Sequence, residues 1–194
     1  MTELMVTVVI IGILAAVGFA ALGSPGHERA LRGTSALVTG TVQELRAYAQ
    51  SSGRAVVVRF DEGPLGRGGS NARMVWWASF DNTCTNLPGT ALGQIVFNHT
   101  GFGGDTRHIT ITDVAPASGS QMTLCITPTG RVVDPLTARP VAAIGGSDYS
   151  GQALVELRPA LCRGANCQPA PYNRIIEISF NGLTAALPRG TEMP

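Results

Sequence analysis

The hydrophobic positions divide this chain into three zones with different periodicities. The first zone is an uncharged run from Leu4 to Leu22, which one threonine and two glycines interrupt. An α-helix needs about 20 apolar residues to cross a hydrocarbon core of roughly 30 Å, and this run is long enough. The pattern therefore predicts a membrane helix over residues 1–23. Its apolar positions include Leu4, Val8, Ile11, Leu14 and Leu22.

Three interpretations of this apolar run compete. A cleaved secretory signal has a basic n-region and an apolar core of about 7–15 residues, whereas here only Glu3 and the α-amino group precede a longer run. A buried helix of a soluble protein would be destabilised by about 1 kcal/mol for each internal glycine relative to alanine. Glycine is more frequent in membrane helices. These features favour an anchor that is retained in the membrane.

The second zone has helical periodicity and covers residues 24–53. Ser24 suits an N-cap with Pro25 at the first helical position, and Gly53 suits the C′ position that follows a helix. One apolar face is predicted to pack on a sheet, and it comprises Ala30, Leu31, Leu37, Val38, Val42, Leu45, Tyr48 and Ala49. The opposite face is predicted to carry Arg32, Gln43 and Gln50, with Arg46 on its flank.

The third zone, residues 54–194, consists of short β-branched and aromatic runs separated by turn-forming residues. The runs cover residues 55–60, 74–80, 94–97, 108–112, 122–126, 153–157 and 174–180. Hairpin-like turns are predicted at residues 127–132, which contain Pro-Thr-Gly, and at residues 180–183, which contain Asn-Gly. No second helical period appears, so crossover helices and a parallel sheet are not expected.

Together these zones predict an α+β fold. A long N-terminal helix, apolar in its first half and amphipathic in its second, packs on an antiparallel β-sheet or small β-sandwich. The three predicted units are residues 1–23, 24–53 and 54–194. The formal net charge of +1 does not indicate a strongly basic nucleic-acid protein or an acidic tail.

The four cysteines indicate disulfides rather than a metal site. An even number in an exported domain predicts two disulfides, for which three pairings are possible. Zinc sites need closely spaced ligand pairs, and only Cys162 and Cys167 are near each other in sequence. The pairing that we favour joins Cys162 to Cys167, which closes a small loop, and Cys84 to Cys125, which joins two segments of the sheet domain.

No motif points to catalysis. The chain lacks a G-x-S-x-G elbow, a P-loop and an H-E-x-x-H sequence. We therefore expect neither an enzyme nor a bound cofactor or metal.

Residues 2–16, TELMVTVVIIGILAA, closely resemble the N-terminal helix of type IV pilins and type II secretion pseudopilins. In that family a basic leader that ends in glycine is removed, and the new N-terminal residue is N-methylated. No such leader precedes Met1 in this sequence, so we expect the mature form to begin a residue or two upstream. The resemblance implies that Glu3 is the helix-start glutamate, which pairs with the N-terminal amine of a neighbouring subunit during assembly.

Later segments are similar to a subgroup of that family, the GspH-type minor pseudopilins and FimT/FimU-type minor pilins. They are residues 44–58, the turn at 125–132, and residues 174–184 as a degenerate second turn. The resemblance implies a structural subunit that assembles with other pilins or pseudopilins and with the inner-membrane assembly machinery. It also implies a single-pass inner-membrane protein, in contact with lipid through its N-terminal helix. Its C-terminal domain would lie in the periplasm before incorporation into a pilus or pseudopilus.

An anchored periplasmic binding module remains the alternative, including a DNA-binding FimT-like minor pilin of natural transformation. Binding to phosphates requires clustered basic side chains. The nearest approach to a cluster is Arg54, Arg59, Arg67 and Arg73, which Asp61 and Glu62 partly offset. This distribution disfavours nucleic acid as a partner but leaves it open.

Overall fold

The computed structural model describes residues 25–63, 72–97, 109–115, 120–139, 152–163 and 166–187. The predicted membrane helix over residues 1–23 lies outside these ranges. Within them, no helix combines the length and apolar character needed to cross a bilayer.

One long helix, α1 (Pro25–Ser52), forms the first described element. Its C-terminus has the predicted glycine cap: Gly53 follows at φ 68°, and its N–H donates to the carbonyl of Ala49 at 3.1 Å. A glycine in this left-handed conformation relieves the steric cost that a Cβ would impose where the helix stops. The prediction for Gly53 is confirmed.

The buried face of α1 is narrower than predicted. Its most buried apolar side chains are Leu31, Val38, Val42, Leu45 and Ala49. Leu37 and Tyr48 were predicted to face the sheet but are 43% and 38% exposed. At 3.6 residues per turn, both lie about 100–120° around the helix from Leu31. Thr34 and Ser35 lie closer to the centre of the face and are buried instead.

In the described part of the chain, ten strands follow α1. They are β1 (Val56–Asp61), β2 (Arg73–Ala78), β3 (Gly93–Val96), β4 (Ile109–Ala115), β5 (Gln121–Ile126), β6 (Val132–Val133), β7 (Gln152–Arg163), β8 (Asn166–Pro169), β9 (Arg174–Ser179) and β10 (Thr184–Ala186). All seven predicted runs overlap a strand. The short strands β6, β8 and β10 were not predicted, because two to four residues carry too little alternation to stand out from a turn.

The strands form two antiparallel sheets. The first has the order β3-β2-β1-β5-β6, and the second has the order β10-β9-β7-β4, with β8 paired to β7. The inner faces of both sheets and the buried face of α1 share one hydrophobic core. The predicted α+β fold, a helix packed on antiparallel sheet, is therefore confirmed.

The outer face of the first sheet carries a second, smaller cluster. Along β1, Val56, Val58 and Phe60 point into the main core, whereas Val57 points outward. This is the alternation expected of a strand that is covered on both faces. Val57 packs there with Ala55, Cys84, Cys125 and Val133.

Candidate functional site: the junction of two glycine turns with the helix

Several residues predicted to be functional lie outside the described residues. They are Glu3 and the apolar helix positions Leu4, Val8, Ile11, Leu14 and Leu22. Their roles in subunit pairing and membrane anchoring remain predictions.

The disulfide between Cys84 and Cys125 is confirmed, with 5.9 Å between the two Cα atoms. It joins the segment after β2 to strand β5. Cys162 and Cys167 stand directly opposite each other in the β7–β8 backbone ladder. Opposite residues of an antiparallel pair have Cα atoms about 4.5–5.5 Å apart, within the range that a disulfide requires. The bond between them remains a prediction.

The segment that carries Cys84 is ordered by Asp81. The side chain of Asp81 accepts hydrogen bonds from the backbone N–H and the hydroxyl of Thr83, and from the Asn86 amide and the Ser79 hydroxyl. The bonds from Thr83, and secondarily those from Asn86 and Ser79, lower the pKa of Asp81 to about 2. The carboxylate therefore stays ionised, and keeps all four acceptor contacts, throughout the physiological pH range.

Both predicted turns are confirmed and have the same construction. In the first, Thr127 and Arg131 flank a three-residue loop that ends in Gly130 at φ 77°. In the second, Ser179 and Leu183 flank a loop that ends in Gly182 at φ 76°. In each, the glycine N–H donates at 2.8 Å to the carbonyl of the residue before the loop. This is the three-residue hairpin in which a left-handed glycine closes the loop.

The two turns lie against each other and join the two sheets at one corner. The N–H of Val132, in the first sheet, donates to the carbonyl of Phe180, in the turn that follows β9 of the second sheet, at 2.8 Å. The Arg131 guanidinium stacks over the Phe180 ring, 5.6 Å from its centroid. The backbone carbonyl of Gly130 faces Gly182 so closely that a Cβ there would lie 2.4 Å from its oxygen. Gly182 is thus required both by its φ angle and by this close approach.

Side chains of α1 bind the turns, one to each glycine carbonyl. Arg46 donates through Nε to the Gly130 carbonyl at 3.2 Å. Gln43 donates through Nε2 to the Gly182 carbonyl at 3.1 Å and to the Thr184 hydroxyl at 3.0 Å. The prediction that Gln43 lies on the helix face opposite the sheets is wrong, because its amide bonds to the second turn and to β10. Arg46 lies on the flank, as predicted.

Substitution of three glycines by alanine should separate the effects on stability of helix propensity, of backbone conformation and of the close contact between the two turns. Gly40→Ala, inside α1 with nothing within 4 Å, should stabilise the protein by about 1 kcal/mol through helix propensity. Gly53→Ala also has free space, but its φ of 68° should cost about 1–2 kcal/mol. Gly182→Ala should cost more than Gly53→Ala, because the new Cβ would also meet the Gly130 carbonyl. Chemical denaturation measures all three, and equal losses for Gly53→Ala and Gly182→Ala would show that the turns do not press on each other.

Two arginines of the cluster seen in the sequence share one carboxylate. Asp61 forms ion pairs with Arg59 at 2.8 Å and with Arg73 at 2.6 Å. Arg59 also stacks over Trp77, with its guanidinium 5.3 Å from the ring centroid. Arg67 lies outside the described residues. Phosphate binding requires clustered basic charge, and the carboxylate of Asp61 offsets one of the two positive charges of Arg59 and Arg73.

Glu156 is a buried charge that sequence reasoning missed. Only 5% of the residue is exposed, and its carboxylate accepts hydrogen bonds from Thr112, Arg158 and Asn173. Burial raises the pKa of Glu156, but these hydrogen bonds outweigh burial, so that its pKa lies below the ordinary value. In the sequence, Glu156 occupies the polar position of an alternating strand, which normally faces solvent.

The described residues contain no cluster of side chains that could form a metal centre. Among them, no group of three or more His, Cys, Asp or Glu side chains is placed to hold an ion.

The junction of the two glycine turns with α1 has the arrangement of a structural joint between the helix and the sheets.

Comparison with known proteins gives a likeness in shape only. No protein-family model matches the sequence, and no curated protein matches it. The type IV minor pilin FimU of Pseudomonas aeruginosa strain PAO1 is similar in structure in two crystal forms. One is 15% identical with a TM-score of 0.45, covering 81% of this chain and 88% of that chain. The other is 14% identical with a TM-score of 0.43, covering 81% and 93%. At such low similarity we draw no functional conclusion from the likeness.

Proposed function

We propose that this chain is a structural, non-enzymatic subunit of a type IV pilin-like filament. It would be either a minor pilin of a type IV pilus or a pseudopilin of a type II secretion system. The observation that carries the proposal is the sequence of residues 2–16, in which Glu3 stands at the start of an uncharged run of membrane length. A carboxylate in that place is costly unless a partner neutralises it. In the family that this segment resembles, the partner is the terminal amine of a neighbouring subunit.

The position of α1 supports a mechanical role for the chain. The helix begins at Pro25, three residues after the apolar run ends at Leu22. One face of it is buried against both sheets from Leu31 to Ala49, and Gln43 and Arg46 donate hydrogen bonds to the turns. A displacement of the apolar segment out of the bilayer would therefore be passed to the sheet domain through a helix that is packed and hydrogen-bonded to it.

The apolar segment would have two roles, one in the membrane and one in the filament. In the bilayer it would hold the subunit by burying its side chains in lipid, and in a filament it would bury the same side chains among the corresponding helices of other subunits. Burial of apolar area is non-directional, so the carboxylate of Glu3 would supply the axial register that apolar contacts lack. Partners would be other pilins or pseudopilins and the assembly machinery of the inner membrane.

The disulfide supports placement of the sheet domain in the periplasm. Disulfides persist in oxidising compartments and are rare in the bacterial cytoplasm. Cys84 and Cys125 are bonded in the sheet domain, so that domain would lie across the inner membrane from the cytoplasm.

Replacement of Glu3 tests the proposal. In the native host, Glu3→Ala and Glu3→Gln subunits should reach the inner membrane at the wild-type level but enter filaments poorly. We expect a loss of about tenfold or more, because a hydrogen bond to a charged group contributes ~1.5–3 kcal/mol. Immunoblots of membranes and of sheared filaments measure both quantities.

Thr7→Ala is the matched control, since it removes a polar but uncharged group from the same run. It should assemble normally. If Glu3→Ala subunits assemble as well as Thr7→Ala subunits, Glu3 does not pair. If the wild-type chain never leaves the membrane fraction, an anchored binding module becomes the better assignment.

A further inference from the structure

A groove runs between α1 and the edge of the second sheet. Its volume is about 520 Å³. One wall consists of α1 residues between Arg32 and Gln43, several of them small, and the other consists of Thr184, Ala186 and Arg174. At one end the groove is closed, because the Gln43 amide bonds to the Thr184 hydroxyl at 3.0 Å.

No described strand pairs with the outer edge of the strand that borders the groove. Strand β10 ends the strand order of the second sheet. The carbonyl of Leu183 and the N–H of Leu187 bond to β9, so the backbone groups of Thr184 and Ala186 point away from it by the alternation of an antiparallel ladder. Within the described part of the chain, no backbone group pairs with them. Such an edge is a template for another strand.

The same groove carries an excess of positive charge. Arg174 forms no ion pair with any described residue, and Arg32 pairs with Glu28 through one nitrogen at 2.6 Å. A guanidinium has five N–H donors, so both side chains keep donors for another acceptor. Two arginines thus line the groove, and the one described carboxylate that pairs with either of them is that of Glu28, on Arg32. A carboxylate from a bound segment would complement the remaining positive charge.

We propose that this groove binds an extended peptide segment of a partner protein that carries a carboxylate side chain. The main chain of the segment adds to the second sheet beside β10, bonding to Thr184 and Ala186. Its acidic side chain meets Arg174, with Arg32 beside it. Strand addition takes its affinity from main-chain hydrogen bonds and its specificity from side chains along the groove. The inference does not depend on the pairing of Glu3 or on filament assembly.

The test is a binding measurement on the full chain in detergent micelles. The probe is the peptide TVTEVTV-NH2 with fluorescein attached to its N-terminal amine, and its anisotropy reports binding. Arg174→Glu should weaken binding by about tenfold or more, as the loss of a charge-assisted hydrogen bond requires. Arg54→Glu is the matched control, an equal change of charge at an exposed arginine outside the groove, and should leave binding unchanged. A peptide with Lys in place of Glu should likewise bind the wild-type chain about tenfold more weakly or worse.

Main-chain pairing is tested separately. Ala186→Pro removes the outward N–H while leaving the bonds to β9 intact, since proline is tolerated on an edge strand, and it should abolish binding. N-methylation of alternate amides in the peptide should abolish binding to the wild-type chain. This test changes only the peptide, so it does not depend on the folding of a variant protein. Absence of binding at about 1 mM peptide, equal weakening by Arg174→Glu and Arg54→Glu, or undiminished binding of the N-methylated peptide would each overturn the proposal.

Discussion

Replacing Leu45 with alanine is expected to lower the free energy of unfolding by about 2–5 kcal/mol. Leu45 is 5% exposed and belongs to the core that α1 shares with both sheets. Truncation removes buried methyl groups and leaves a cavity that strands anchored in a ladder cannot readily close. Because total stability is roughly 5–15 kcal/mol, the loss is a large part of it.

Thermal unfolding of the full chain in detergent, followed by tryptophan fluorescence, measures this effect. A loss of 1 kcal/mol lowers the melting temperature by about 2–4 °C in a chain of this size. Glu44→Ala is the control, because Glu44 is the exposed neighbour of Leu45 and exposed substitutions usually change stability by less than about 0.5 kcal/mol. Gln43 is unsuitable as a control, since its amide bonds to the second glycine turn. Equal, small effects of Leu45→Ala and Glu44→Ala would mean that α1 is not packed on the sheets.

Removing the disulfide between Cys84 and Cys125 by alanine substitution of both residues should destabilise the protein by about 4 kcal/mol. The two cysteines are separated by 41 residues in sequence. In the chain-entropy account, the cross-link stabilises the fold by restricting the unfolded chain, and the restriction increases with the length of the closed loop. Both residues are also buried in the cluster on the outer face of the first sheet, so their removal adds a packing loss.

The matched comparison is alanine substitution of Cys162 and Cys167. A disulfide between these residues would close a loop of only about six residues and contribute about 2 kcal/mol by the same relation. Urea denaturation of the protein purified from the periplasm measures both losses. Thiol titration under denaturing conditions without reductant should find no free thiol. Two reactive thiols that map to Cys162 and Cys167 would refute the second pairing, and a smaller loss for the Cys84 and Cys125 variant would refute the entropic argument.

The candidate site could be predicted only in part. Gly130 and Gly182 stand in turn motifs that were recognisable, because a left-handed residue after a short polar loop strongly favours glycine. That the two turns touch, and that Arg46 and Gln43 each bind one glycine carbonyl, could not be predicted. Gln43 and Gly182, which are in contact, lie 139 residues apart in the sequence. No local pattern encodes such a pairing.

The features that the sequence by itself determined are those that depend on neighbouring residues. The end of α1 at Gly53, its apolar stripe through Leu31, Val38 and Leu45, and the alternation of β1 follow from backbone sterics and from the periods of helix and strand. Tertiary structure alone decided the division into two sheets, the position of β1 between β2 and β5, the burial of Glu156 and, among the described strands, the place of β10 at the edge of its sheet. These depend on which distant segments meet. Side-chain periodicity specifies which face of a strand is buried, but not which neighbour covers it.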